Sequence, residues 1–207
     1  MSAFREISPA INASVAEYFS TLPPVFQDVV RRIRQEKVNG TRPTPSSSLI
    51  DASHLLSSQE RRGLLDAVAR LVDENLSGRS DMCQHFADLL SRALQHLRFP
   101  ARLISGTAIY FDAGNQELFR WPHAWVRVGK EVIDGNVDSL FENPVMPNAV
   151  KVRPYWGPVS QIPADRRLRE NHGATLQSEA DVTNIWWPDL KQWLEKNFGS
   201  SDHYSII

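Results

Sequence analysis

Two β-forming runs joined by a two-residue turn constrain this chain more tightly than any other stretch. The first run starts near Phe119 and passes through His123-Ala124-Trp125-Val126-Arg127-Val128, Gly129-Lys130 makes the turn, and Glu131-Val132-Ile133-Asp134 returns. Glycine in the first turn position is a hairpin signature. With Gly129 and Lys130 as the turn, Val128 pairs with Glu131, and counting outward sets Trp125 opposite Asp134 and His123 opposite Asn136. Paired positions share a face, so His123 and Asp134 become diagonal neighbours about 7–8 Å apart at the backbone, a gap that an imidazole and a carboxylate can bridge. Asn136 is the nearer partner by this count. An imidazole acting as a base needs a carboxylate or an amide to fix its tautomer and stabilise its charged form, and the pattern offers both. A plain hairpin with an exposed histidine and acid reads the same way, so a second feature has to decide.

That feature is Cys83, the single cysteine of the chain. Ser80 or Asp81 is placed to cap a helix whose apolar stripe, Phe86, Leu89, Leu90, Ala93, Leu94 and Leu97, has the cleanest helical period in the sequence. Arg98-Phe99-Pro100 closes that helix. With either cap, Cys83 falls in the first turn, beside unpaired backbone N–H groups and the positive end of the helix dipole. Both favour the thiolate, which is the reactive form of a cysteine nucleophile. Taken alone, Cys83 reads more readily as a small, inert core residue. Together with the hairpin, it completes a nucleophile, a base and an orienting acid.

The rest of the chain supplies a scaffold. Pro23-Pro24 opens an amphipathic helix through Val25, Phe26, Val29, Val30 and Ile33 that ends near Asn39-Gly40. Gly40 to Ser48, with Pro43, Pro45 and three serines, reads as an exposed connection holding neither helix nor central strand. The expected division is therefore a helical arm and linker over residues 1–48 and a core over 49–207, the latter with a Pro-rich C-terminal extension. Ser57 and Glu60 form a capping-box pattern ahead of the stripe Leu64, Leu65, Val68, Leu71, Val72 and Leu76, with Gly78 as the stop. Leu103 to Phe111 reads as a strand ending in the turn Asp112-Ala113-Gly114-Asn115. Ser139 to about Pro163 reads as irregular chain, and Pro188 to Phe198 as a short closing helix docked by Trp193 and Leu194. The fold class expected is α+β, helices packed on an antiparallel sheet.

Composition bounds the function. Lys plus Arg number 23 against 24 acids, a formal charge of -1, so there is no broad electrostatic footprint for nucleic acid or an anionic membrane. Met1 to Ala13 lacks the apolar stretch of a signal peptide, and no later stretch is apolar enough to span a bilayer. A soluble, cytoplasmic protein is expected; one exported without a cleavable signal has the same composition. One cysteine permits no internal disulfide and no zinc site built on thiolates. His54, His172 and His203 have no neighbours at metal-ligand spacing, and His85 and His96 fall on the solvent side of the Cys83 helix, so neither metal nor cofactor is expected. Tyr155-Trp156 and Trp186-Trp187 read more readily as packing residues than as the lining of a substrate cleft, and Arg166-Arg167-Leu168-Arg169 reads equally as a basic cluster for an acidic partner or a solvated helix face.

Cys83, Pro100-Ala101-Arg102, His123-Ala124-Trp125-Val126 and Asp134, in this order, resemble the transglutaminase-like superfamily of papain-related thiol enzymes. Residues from Ser80 to about Ser139 carry the resemblance, under a third of the chain. It implies acyl transfer through a thioester, with Cys83, His123 and Asp134 as the triad, Asn136 and Trp125 as orienting or substrate-binding residues, and a protein or peptide substrate. Members similar to the eukaryotic cross-linking enzymes carry glycine before the cysteine, tryptophan after it and Pro-Thr after the aspartate. Here Asp81-Met82-Cys83-Gln84-His85 and Gly135-Asn136 stand instead. The departures favour hydrolysis, as in a peptidase, amidase or deamidase, over transfer to an amine, and leave a non-catalytic binding module on the same scaffold as the alternative.

Overall fold

The computed structural model describes residues 21–73, 78–147, 150–171 and 177–199. Helix α1 (Pro24–Asn39) begins with proline at its first position, and Gly40 closes it at φ 66, its N–H and that of Thr41 reaching back to the carbonyls of Lys37 and Glu36. Its stripe buries Val30 and Ile33. Lys37 of α1 and Arg42 just beyond it both pair with Asp73, and Arg42 also reaches Glu142 at 2.6 Å. The connection after Gly40 departs from expectation: Pro45–Ser48 forms a single helical turn, α2. Proline starts the turn, and Asp66 of the next helix accepts from the backbone and hydroxyl of Ser46. These tertiary bonds, rather than propensity, make the turn.

After the short strand β1 (Ile50–Asp51) comes helix α3 (Ser58–Val72). The capping box forms as read, Ser57 accepting from the Glu60 N–H at 3.2 Å while Glu60 accepts from the Ser57 N–H at 2.7 Å. The helix ends at Val72, before Gly78, and Leu76 lies outside the described residues. Helix α4 (Cys83–His96) has Met82 at its cap, with no side-chain cap bond. Neither Ser80 nor Asp81 serves; the Asp81 carboxylate accepts from the Asn143 amide instead. The first-turn N–H groups of α4 therefore have no side-chain cap competing for them.

Six strands form one curled, mostly antiparallel sheet in the order β1-β5-β4-β3-β2-β6. They include β2 (Ala101–Phe111), β3 (Glu117–Val128), β4 (Glu131–Asp134), β5 (Tyr155–Pro158) and β6 (Arg166–Glu170). The hairpin register is the one counted, with Val128 opposite Glu131, Arg127 opposite Val132 and Val126 opposite Ile133. Three expectations need correction. The sheet is mixed, because β1 and β5 run parallel. The segment after Ser139 is not irregular throughout: a 3-10 turn spans Val137–Glu142, and Tyr155–Pro158 is an interior strand held between β4 and β1. The arginine cluster is an edge strand, not a helix; Arg166 is 2% exposed, while Arg167 and Arg169 point to solvent.

A π-helical turn (Val182–Trp186) leads into helix α5 (Trp187–Phe198), which docks through Leu190 and Leu194. Helices α3, α4 and α5 cover one face of the sheet, in a core that includes Ala124, Val126 and Ile133. Trp125, Val132 and Tyr155 pack together in a separate cluster. Ala108 and Tyr110 pack under Val137, Leu140 and Met146. Gly106 stands opposite His123 in the ladder. A Cβ there would lie 2.0 Å from the Arg169 carbonyl oxygen and 2.5 Å from the Trp125 ring, so glycine is what lets β6 and Trp125 close in behind the histidine.

Candidate active site

Strand β3 carries His123 and strand β4 carries Asp134, both fully enclosed, with side chains 1% exposed. His123 Nε2 lies 2.8 Å from Asp134 Oδ1. Asp134, rather than Asn136, is thus the acid beside the ring. Asn136 is committed elsewhere: its Oδ1 accepts from Arg79 Nη1 at 3.2 Å, and its Nδ2 donates to the Arg79 carbonyl at 2.7 Å. Arg79 also forms a two-pronged pair with Asp138 at 3.0 and 2.9 Å. This buried clamp ties the approach to α4 to the chain just past Asp134. Trp125 is not open to a ligand; it is buried, its ring stacked on the imidazole with centroids 6.1 Å apart.

Cys83, half-buried at the tip of α4, interacts with His123 and with the backbone N–H groups of Gln84 and Ala124. Burial pushes its thiol up, and the imidazole and those two N–H groups outweigh burial, leaving the thiol below its ordinary value. Nδ1 of His123 has no completed hydrogen bond among the described residues. Burial also opposes the charged ring. The Asp134 carboxylate overcomes it, with help from Cys83, and raises His123 to about 10. Asp134 itself would be pushed up by burial, but His123 and Arg166 hold it down at about 2. Both shifts favour the thiolate–imidazolium form over the neutral pair.

Two participants escaped the sequence reading. Arg166 donates from Nη1 to Asp134 Oδ2 at 2.7 Å, with its own side chain 0% exposed. The usable signal was alternation, since Arg166, Leu168 and Glu170 share one face of β6 while Arg167 and Arg169 take the other. Tyr110 is the second: it is fully buried, its hydroxyl has no partner among the described residues, and burial and Asp134 push its ionisation well up, so it stays neutral.

Three of the remaining histidines, His54, His85 and His96, lie among the described residues. His85 is not solvent-side as expected but half-buried edge-on to Trp186, with centroids 5.6 Å apart, and His96 stands likewise against Trp187 at 6.0 Å. The apolar stripe of α4 is wide enough for the ring-rich start of α5 to cover these flanking positions. His54 is exposed, and His172 and His203 lie outside the described residues. Among the described residues no group of His, Cys, Asp and Glu is arranged to hold a metal ion, and no helix is long and apolar enough to cross a membrane.

No family model matches this sequence, and no match is found among curated proteins or solved structures. The functional reading therefore stands on the geometry and chemistry of these residues.

Proposed function

We propose that this protein is a cysteine-dependent amide hydrolase or acyltransferase of the transglutaminase-like type, acting on a protein or peptide in the cytoplasm. One observation carries the reading: the only thiol of the chain sits at a helix tip beside an imidazole whose far nitrogen is held by a buried carboxylate. A structural cysteine needs none of these neighbours.

In the reaction, the Cys83 thiolate attacks an amide carbonyl carbon and a C–S bond forms. The tetrahedral oxyanion faces the N–H groups of the first turn of α4, with the Cys83 N–H as one donor. Protonated His123 gives its Nδ1 proton to the leaving amine, the C–N bond breaks, and a thioester remains. Neutral His123 then takes a proton from water, the hydroxide adds to the thioester, and the C–S bond breaks to return the thiolate and the imidazolium. An amine in place of water gives transamidation. Asp134 holds the ring throughout and stabilises its charge.

Profiling with amide and peptide libraries tests this. Acid-quenched intact mass should show an acyl adduct on wild-type protein and none on Cys83→Ala, and the released product should be the acid unless a primary amine is supplied. The first step needs thiolate and imidazolium together. Turnover should therefore fall above about pH 10, where His123 loses its proton, and fall at acid pH as Cys83 gains one. Turnover surviving in Cys83→Ala, or no adduct from any library member, would refute the proposal.

A further inference from the structure

A carboxylate has two oxygens, and only one of those on Asp134 faces the imidazole. Oδ1 takes His123 Nε2 at 2.8 Å, and Oδ2 takes Arg166 Nη1 at 2.7 Å. The guanidinium is itself pinned: Nη2 donates to the Arg153 carbonyl at 2.6 Å and Nε to Asp165 Oδ1 at 2.8 Å. Pairing of Arg166 with Tyr110 in the ladder fixes where its side chain starts. The Asp134 carboxylate cannot turn without breaking a buried charge-assisted bond, the strong kind. Nε2 of His123 therefore finds its acceptor in one place, which fixes the ring and leaves Nδ1 as the nitrogen available to the sulfur.

Charge makes the same case. Thiolate, imidazolium, the Asp134 carboxylate and guanidinium sum to zero, the Asp165 carboxylate that also pairs with Arg166 being 32% exposed and so partly solvated, whereas the first three alone bury a net negative charge that disfavours the thiolate. Among the described residues, the charged and titratable groups bearing on His123 and its partners come from four places: Cys83 on α4, Tyr110 on β2, Asp134 on β4, and Asp165 with Arg166 at the start of β6. Arg166 is the one cation among them besides the imidazolium itself.

We propose that Arg166 is a positioning residue of the Cys83 site, orienting Asp134, and through it His123, while supplying the positive charge that balances the buried pair. This rests on the reading of Cys83 as a nucleophile.

The test is the alkylation rate of Cys83 by iodoacetamide against pH in the full chain, for wild type, His123→Ala, Arg166→Met and Arg166→Lys. The single cysteine makes the signal unambiguous. Arg166→Lys keeps the charge but cannot bridge Asp134, Asp165 and the Arg153 carbonyl at once, so it separates charge from geometry. At pH 6 Arg166→Met should react about tenfold more slowly than wild type, equivalent to about one unit in the thiol pKa, and Arg166→Lys should fall between. All should converge on one plateau at high pH. A purely structural role lowers the unfolding midpoint and leaves the profile unmoved, so folded variants whose profiles overlay wild type overturn the proposal. Failure of both variants to fold also overturns it, in favour of that structural role. A wild-type profile that matches an ordinary thiol and ignores His123→Ala overturns the nucleophile reading instead.

Discussion

Replacing His123 with alanine should slow acyl transfer by roughly a hundred- to ten-thousand-fold, the range that general acid–base catalysis contributes. The loss has two sources. The thiol loses the strongest of the neighbours that oppose burial, so less of it is ionised, and the leaving amine loses its proton donor. The first is recoverable and the second is not. Raising the pH should restore alkylation of Cys83 in His123→Ala to the wild-type rate but leave amide turnover low. Single-turnover acylation measured from pH 6 to pH 10 reads both. If turnover in His123→Ala recovers along with alkylation, the ring acts on the thiol alone and is not the donor to the leaving group.

The largest effect on stability is expected at Arg79. Its side chain is 2% exposed and engages Asp138 through both terminal nitrogens. In Arg79→Met the Asp138 carboxylate stays buried without its cation, which costs about 3–5 kcal/mol. Asn136 also loses the donor to its Oδ1. Urea denaturation should show a lower midpoint at an unchanged slope. Adding Asp138→Leu should recover much of the loss, because a buried pair replaced by apolar groups is far less harmful than one left half-broken. A double variant as unstable as Arg79→Met would locate the damage elsewhere, at Gly78 for example. That glycine has φ +87, and a Cβ on it would lie 2.3 Å from Glu142, whose carboxylate accepts the Arg79 N–H.

The parts legible in the sequence are those where local chemistry and tertiary structure agree. The β3–β4 register followed from a two-residue turn that leaves the chain little choice, and Gly129 at φ 56 is the residue such a turn asks for. The α3 capping box and the α4 stripe were legible for the same reason. What stayed hidden was decided by distant partners. Strand β5 is only four residues long, flanked by Pro154 and ended by Pro158, and it exists because β4 and β1 supply its ladder. Arg166 looks like any surface arginine until β6 turns it inward onto Asp134. Counting along the hairpin set Asn136 directly opposite His123; the choice of Asp134 depends on Arg79, from before α4, taking up the asparagine amide. Such pairings join residues far apart in sequence, and no window of local pattern contains them.

Every step of the proposed reaction starts from Cys83 held as a thiolate by His123. Titrating the ultraviolet thiolate absorbance of the folded protein measures this directly, since the chain has one cysteine to report. Wild type should ionise below the ordinary thiol value of about 8.5, and His123→Ala should shift that transition upward. Coincident transitions in the two proteins, at or above the ordinary value, would contradict it.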